Sequence, residues 1–451
     1  MAEAMTELAK TLEGIVGAGH VRVDGEARRY AVDGVAPRAV VLPGSVDEVS
    51  AALAACSKAG AAVVPWGGGS SMGLGGIPQK VDVVLCLVRL NQVLDYEPGD
   101  MTSTVQAGMV LSEYQARLKS QGQFLALDTP DETRATIGGI LAANVSGPRR
   151  IRYGAARDLL IGVRVAHADG RVTKGGAKVV KNVTGYDMNK LYVGSLGTLG
   201  VIVEATFRLY PIPPAEHTWV APFPTAGKAR EAIAKILDSP LVPSAVELLN
   251  QSAAVEVGRR SGVVPGSGGC LLAVAVASIP EAVKAQLEQA RKLGKNAGGG
   301  DGHMLDGEAH EKFWAAVRNF DGGQNGGMVL KGSVLLDKVA DALTQGERLA
   351  EKHGLSVAIV SEAGTGIVRY YLRGEAGVPD RFRRLAEAVV PLRAFATDAK
   401  GSLVVLHAPP EVKPSVDVWG PVGEVFPLMR GLKERFDPGR ILNPGRFVGG
   451  L

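Results

Sequence analysis

The sequence is poor in cysteine and in aromatic residues, with three cysteines and 5% aromatic side chains in 451 residues. Cys56, Cys86 and Cys270 are scattered without metal-ligand spacing. That excludes a disulfide framework and a cysteine-held iron–sulfur cluster within the chain. No apolar run is long enough to span a bilayer, and the longest, CLLAVAVASI from Cys270 to Ile279, reads as a buried strand. The N-terminal segment is amphipathic and contains acids, unlike a secretory signal. A formal net charge of +4 includes no basic block, so nucleic acid is not an expected partner, while a mildly positive surface favours small acids. What remains is an ordinary composition, 46% hydrophobic and 21% charged, in a chain long enough for two or three domains. A cytoplasmic enzyme, at most peripheral at a membrane through partners, is expected.

Glycine is plentiful, and its densest cluster is VVPWGGGSSMGLGG, Val63 to Gly76. The preceding residues explain how it is mounted. Ser45 and Glu48 have capping-box spacing, Val49, Leu53 and Cys56 share one helical face, and Gly60 supplies a stop. AAVVP then reads as a short buried strand that delivers the chain into the loop. A nicotinamide-type fingerprint fails, because Gly67 and Gly69 are followed by Met72, and Gly73 and Gly75 by Pro78. A Walker loop fails for want of its lysine. An anion cradle of backbone amides with the Ser70 and Ser71 hydroxyls remains. Taken alone, the loop leaves a plain surface loop open as well.

Two further blocks follow in order, DTPDETRATIGGILAANVSGP and KNVTGYDMNKLYVGSLGTLGVIVE. With these three motifs, residues from about Val32 to Pro214 and the C-terminal FDPGRILNPGRF resemble the FAD-binding proteins of the vanillyl-alcohol oxidase type. The resemblance implies an α+β fold. A PCMH-type FAD-binding domain of two α/β subdomains is joined to an α+β cap domain with an antiparallel sheet, and a C-terminal segment returns to the FAD domain. The expected boundaries are 1–31 for an N-terminal helical segment, 32–214 for the FAD domain, 215–409 for the substrate or cap domain and 410–451 for the returning segment. For the cofactor, the resemblance implies pyrophosphate contacts from Pro65, Trp66, Gly67, Gly68, Gly69, Ser70, Ser71 and Met72. It implies flavin contacts from Thr136, Ile137, Gly138, Gly139, Ala142, Ser146 and Gly147. Asp131 matches the family's "PD" pair, and Gly200 and Ile202 belong to a strand whose backbone meets the cofactor. FDPGRILNPGRF is expected first as a structural clasp, with Asn443 near the flavin.

Chemistry on a 2-hydroxy acid needs a cation for the carboxylate and a base for the hydroxyl proton. HEKFWAAVRNF resembles the family's "LWxxR" helix, with Phe313 in the leucine position and Trp314 and Arg318 matching. Arg318, one turn beyond Trp314, is expected to face the same cleft as a carboxylate clamp, with a solvated surface arginine as the alternative. Lys331 within the strand pattern MVLKGSVLL points inward at a charged ligand or lies on the wet face. His407, ending the apolar GSLVVLH, is a candidate base or a structural histidine. His303 and His310 lie in no metal-ligand pattern, and the "HxxxxxxH…E" arrangement of the family's zinc-dependent branches is absent, so no metal is expected.

The chain is similar to flavoprotein subunits of the glycolate- or lactate-oxidising kind. That implies FAD-dependent oxidation of a small 2-hydroxy acid to the 2-oxo acid, with a second flavoprotein and an iron–sulfur subunit that receives the electrons. A stand-alone, oxygen-using oxidase of an alcohol or sugar and a non-catalytic FAD-bearing assembly subunit stay open. Relatives with a covalently linked flavin attach it through His or Cys near these motifs. Neither occurs in the glycine loop or in SGPRRIRYG, so the FAD is expected to be non-covalent. Acid precipitation should therefore release it into the supernatant, and yellow protein in the pellet would overturn this.

Overall fold

Ser45 starts the helix Val46–Ala59 by accepting from the Glu48 amide at 3.1 Å, and Gly60 ends it in the left-handed region at φ 60°. The Glu48 carboxylate accepts from the Gly44 amide at 2.7 Å, so the box closes one residue earlier than its spacing suggests. Arg89, which donates to the Leu42 carbonyl at 2.7 Å, lies 3.8 Å from that carboxylate and holds it over the turn. Val49, Ala52, Leu53 and Cys56 are the buried face. The strands on either side of this helix, Ala39–Val41 and Val63–Trp66, both pair in parallel with Val83–Cys86, and Val21–Val23 adds an antiparallel edge. A second sheet is wholly antiparallel, in the order Val93–Glu97, Thr102–Gln106, Val201–Arg208, Leu160–Ala166, Val172–Gly176. Its central strand, Val201–Arg208, buries Val203, Ala205 and Phe207 completely, and the short helix Ile137–Ala143 packs against that strand.

This computed structural model describes residues 2–177, 186–264, 266–321 and 326–451, so the opening of the third glycine block, residues 181–185, lies outside the described residues. The chain forms two compact units. One comprises Met1–Ser146, Ala155–Ile212 and Pro421–Leu451, and the other comprises Gly147–Gly154 and Pro213–Gly420. The first therefore takes in the N-terminal residues, because Val21–Val23 is part of its sheet. The second takes the short stretch Gly147–Gly154 out of the middle of the FAD-domain sequence, and its C-terminal limit is Gly420. Among the described residues no helix is long and apolar enough to cross a membrane.

The second unit is built on an eight-stranded antiparallel sheet, ordered His303–Leu305, Ala215–Phe223, Cys270–Ser278, Ala245–Asn250, Ser356–Glu362, Ile367–Arg373, Met328–Ser333, Ser402–His407. The long run from Cys270 is one of its inner strands, buried on both faces. Four helices, Ala226–Leu237, Pro280–Asn296, Val339–Lys352 and Arg381–Asp398, bury one face around Trp219, Leu272, Leu330 and Tyr370. Helices Gln251–Ser261 and Gly307–Arg318 cover part of the other, around Leu249, Phe313, Trp314 and Tyr371. That second face also carries Glu247, Lys331, Glu362 and Arg369.

In the first unit, the segment after helix Phe426–Phe436 is locked by a buried ion pair. Lys433 Nζ donates to Asp437 Oδ2 at 2.6 Å, to the Thr198 carbonyl at 2.9 Å and to the Leu442 carbonyl at 2.9 Å. Asp437 in turn accepts from the amides of Ile441 and Leu442 at 3.1 and 2.8 Å. Burial pushes the Lys433 pKa down, and Asp437 opposes the shift. Removing one partner of such a pair strands the other charge, and Asp437→Ala should destabilise the protein by about 3–5 kcal/mol. Urea denaturation should also find the double variant Lys433→Met/Asp437→Leu less affected than Asp437→Ala. An Asp437→Ala midpoint equal to wild type would show that the pair does not hold the segment.

Candidate functional site

The glycine loop bounds a partly open cavity within the first unit. The strand Val63–Trp66 leads into it, and the Trp66 ring is steadied edge-on by Tyr30 at 5.2 Å. Gly67 and Gly68 are needed for close approach. A Cβ on Gly67 would lie 2.0 Å from Thr136 Oγ1, and one on Gly68 would lie 1.6 Å from the Arg134 carbonyl oxygen. The loop thus lies flush against the segment that starts the next motif. There Thr136 caps helix Ile137–Ala143, and the Gly138 amide donates to the Ala107 carbonyl at 2.7 Å.

The cavity wall contains Pro65, Trp66, Gly67, Gly68, Gly69, Ser70, Ser71 and Met72 from the loop. Thr136, Gly138, Gly139 and Ala142 line it from the second motif and Ile202 from the third. Five sequence candidates lie elsewhere. Asp131 is a turn residue at φ 54°, paired with Arg134 at 3.3 Å. Ile137 is buried in the first turn of its helix, and Ser146 is buried beyond that helix's end. Gly147 belongs to the second unit. Gly200, at φ 159°, packs against Val165, with which a Cβ would clash at 2.5 Å.

Sequence reasoning missed Leu196, Gly197 and Arg446 in the wall. Leu196, with its φ of 51°, and Gly197 belong to a turn that carries no ligand-type side chain. Arg446 comes from the C-terminal clasp, along with Asn443. The backbone there runs beside the first sheet, with Val63 N donating to the Ile441 carbonyl at 2.7 Å and Asn443 N to the Val63 carbonyl at 2.8 Å. Arg446 Nη2 donates to the carbonyls of Met72, at 2.6 Å, and Leu74. Among the described residues, none that lines the cavity is acidic. Amides, two serine hydroxyls and a guanidinium beside an otherwise small and apolar wall suit a ligand with a pyrophosphate and a flat ring.

The second face of the eight-stranded sheet holds a separate cluster. Arg369 Nη1 and Glu362 Oε1 are 2.6 Å apart, diagonally across the hairpin of Ser356–Glu362 and Ile367–Arg373. Lys331 is the direct cross-strand neighbour of Arg369, and Glu247 of Glu362. Burial opposes the charge of Arg369, but Glu362, Tyr371 and Glu247 together outweigh it and the guanidinium is held charged. For the half-buried Lys331, burial and then the charge of Arg369 push the pKa down to about 8, with Glu362 opposing and Arg150 adding to the fall. Tyr371, two residues from Arg369, is raised to about 12 by burial.

His407 ends the strand paired with that of Lys331, where it lies opposite Val329 beyond a register shift. Arg318 is half-buried. It ends helix Gly307–Arg318 and makes no hydrogen bond or ion pair among the described residues. Trp314 does not face a cleft with Arg318 but is core, its Nε1 donating to Thr218 Oγ1 at 2.7 Å. His310 is buried beside it, with Nδ1 2.9 Å from the same hydroxyl, and its pKa is lowered by burial against the opposing pull of Glu216. Glu362 and Arg369 were not singled out, because SEAGTGIVRY reads only as a strand, a turn and a strand.

Comparison with known proteins bears on both units. The FAD binding domain family matches residues 37–176, and the family of FAD linked oxidases, C-terminal domain, matches residues 212–447. The chain is 27% identical over 420 residues to the glycolate oxidase subunit GlcD of Bacillus subtilis, covering 91% of this chain and 89% of that protein. It is 30% identical over 425 residues to a D-lactate dehydrogenase of Archaeoglobus fulgidus, covering 92% and 93% respectively. A crystal structure of p-cresol methylhydroxylase with substrate bound is similar in fold, with a TM-score of 0.77 at 17% identity over 99% of this chain and 97% of that one.

The Lys331 shift makes a stability prediction. An unfolded lysine keeps its proton to the ordinary value of 10.5, whereas the folded one loses it from about 8. Between these values the unfolded chain binds more protons, so stability rises with pH across that window. Lys331→Met removes the desolvated ammonium and should melt at a higher temperature than wild type at pH 7, an advantage that shrinks as pH passes from about 8 towards 10.5. A lower melting point at pH 7 would mean that Glu362 more than offsets the burial.

Proposed function

The chain belongs to the FAD-linked oxidases, and from that membership we propose that it oxidises a small 2-hydroxy acid, of the glycolate or lactate kind, to the 2-oxo acid. Bound FAD supplies the two-electron acceptor that the amino acids lack. Toward it, the Gly67–Ser71 loop takes the pyrophosphate, and Gly138, Gly139 and Ala142 let the backbone approach the ring. In the second unit Lys331 and Arg369 take the substrate carboxylate. Arg369 is held in place by Glu362, which leaves Lys331 the more adaptable of the two cations. His407 takes the hydroxyl proton. The observation that carries this reading is the side-by-side placement of Lys331 and Arg369 as cross-strand neighbours on the second face of the sheet.

The electrons leave through an iron–sulfur partner, with a second flavoprotein in the assembly. Cys56, Cys86 and Cys270 are buried free thiols on three separate elements, so cluster ligation requires another chain. The similarity to a glycolate oxidase subunit supports a multi-subunit enzyme.

The test is an anaerobic visible spectrum of the FAD-loaded chain before and after glycolate, D-lactate or L-lactate. The flavin band should bleach with one of them. Lys331→Met should raise the half-saturating acid concentration about a hundredfold, in line with losing a charge-assisted contact. In wild type that concentration should rise as pH passes about 8, where the ammonium is lost, and Lys331→Arg should flatten the rise. A band that persists with every acid would end the reading of this chain as a self-sufficient dehydrogenase. Unchanged saturation in Lys331→Met would remove that residue from the clamp.

A further inference from the structure

Resting on the reading of the cavity as the FAD site, we propose that Asn443 is a flavin-binding residue whose side-chain oxygen accepts the imide N–H of the isoalloxazine. Asn443 lines the cavity and is 3% exposed. Its Nδ2 donates to the Leu196 carbonyl at 2.6 Å. A carbonyl oxygen only accepts, so this bond fixes which end of the carboxamide is nitrogen. The other end, Oδ1, is buried and has no hydrogen-bond partner among the described residues. Buried carboxamide oxygens in folded proteins find donors, and here the protein supplies none, so the donor comes with the ligand.

The chemistry of that oxygen selects the part of the ligand. It accepts and cannot donate. Ionised phosphates are acceptors too, which excludes the pyrophosphate as its partner. The ribityl and ribose hydroxyls rotate and can turn to water or to one another. The imide N–H is fixed in the plane of a ring that is itself buried, so an acceptor must be waiting for it. The wall beside Asn443 suits a ring. Leu196, Gly197 and Pro65 are apolar neighbours there, and the Gly197 Cβ position lies 3.0 Å from the Pro65 ring. The backbone holds the amide in place as well, with Asn443 at φ 50° and its N–H donating to the Val63 carbonyl at 2.8 Å.

The experiment is a two-by-two comparison of affinities, using the apoprotein of the full chain with FAD and with 3-methyl-FAD, in which the imide proton is replaced by methyl. Flavin fluorescence reads the binding, and ADP serves as the ligand without a flavin. Wild type should bind 3-methyl-FAD about tenfold more weakly than FAD. Asn443→Gly, which accommodates the positive φ, should bind FAD about tenfold more weakly and show no further loss on methylation, with ADP affinity unchanged. Asn443→Asp keeps an oxygen and the backbone tolerance, and should retain the methylation penalty. Equal wild-type affinities for the two flavins, or the same methylation penalty in Asn443→Gly as in wild type, would overturn the assignment while leaving the cavity as the FAD site. Wild-type protein that binds neither FAD nor ADP would overturn the cavity reading, and the inference with it.

Discussion

The ammonium of Lys433 is the point on which the first unit turns. Buried against Asp437, it reaches the Thr198 and Leu442 carbonyls, so one charge fixes a helix end, the turn before a central strand and the segment that follows. That segment then runs beside Val63, and Arg446 takes the carbonyls of Met72 and Leu74. Carbonyls bound to the clasp are not free to face an anion. The loop before them is built from glycines that cannot hold a conformation by side-chain packing. Its shape is therefore set from outside, by Thr136 and Arg134 on one side and the clasp on another.

The second unit handles charge differently. Glu247 and Glu362 stand opposite each other on adjacent strands, an arrangement that repels unless a cation intervenes. Arg369 supplies that cation, and Lys331 beside it is left as the group whose proton is least secure. The same sheet is largely apolar on its other face, where Trp219 and Tyr370 pack under four helices. One sheet thus carries structural stability on one side and titratable chemistry on part of the other. The alternation of side chains along each strand makes the two compatible.

Much of the first unit is legible in the sequence, because its signals are local. Ser45, Gly60 and the Val49–Cys56 periodicity define a helix without help from distant residues, and the spacing of the glycines excludes other phosphate loops. Asn443 and Arg446 are harder to weigh. Their role depends on packing against residues more than 240 positions away, which short motifs do not encode. Trp314 and Arg318 show the limit of helical spacing. Four residues apart favours a common face, but that face is filled at Trp314 by Thr218 and Phe313, and the helix ends at Arg318. The Glu362–Arg369 pair follows from the register of a hairpin, which becomes visible only once the strands are aligned. Asp131 matches a family pattern, yet its conformation and its pairing with Arg134 make it a turn residue.

The cavity wall draws on residues 65–202 and again on Asn443 and Arg446, with most of the second unit encoded between them. A ribosome makes the chain from N- to C-terminus, so the wall stays incomplete until the whole intervening unit has been translated. A nascent chain can finish its eight-stranded sheet first, and only then close the wall around the cavity.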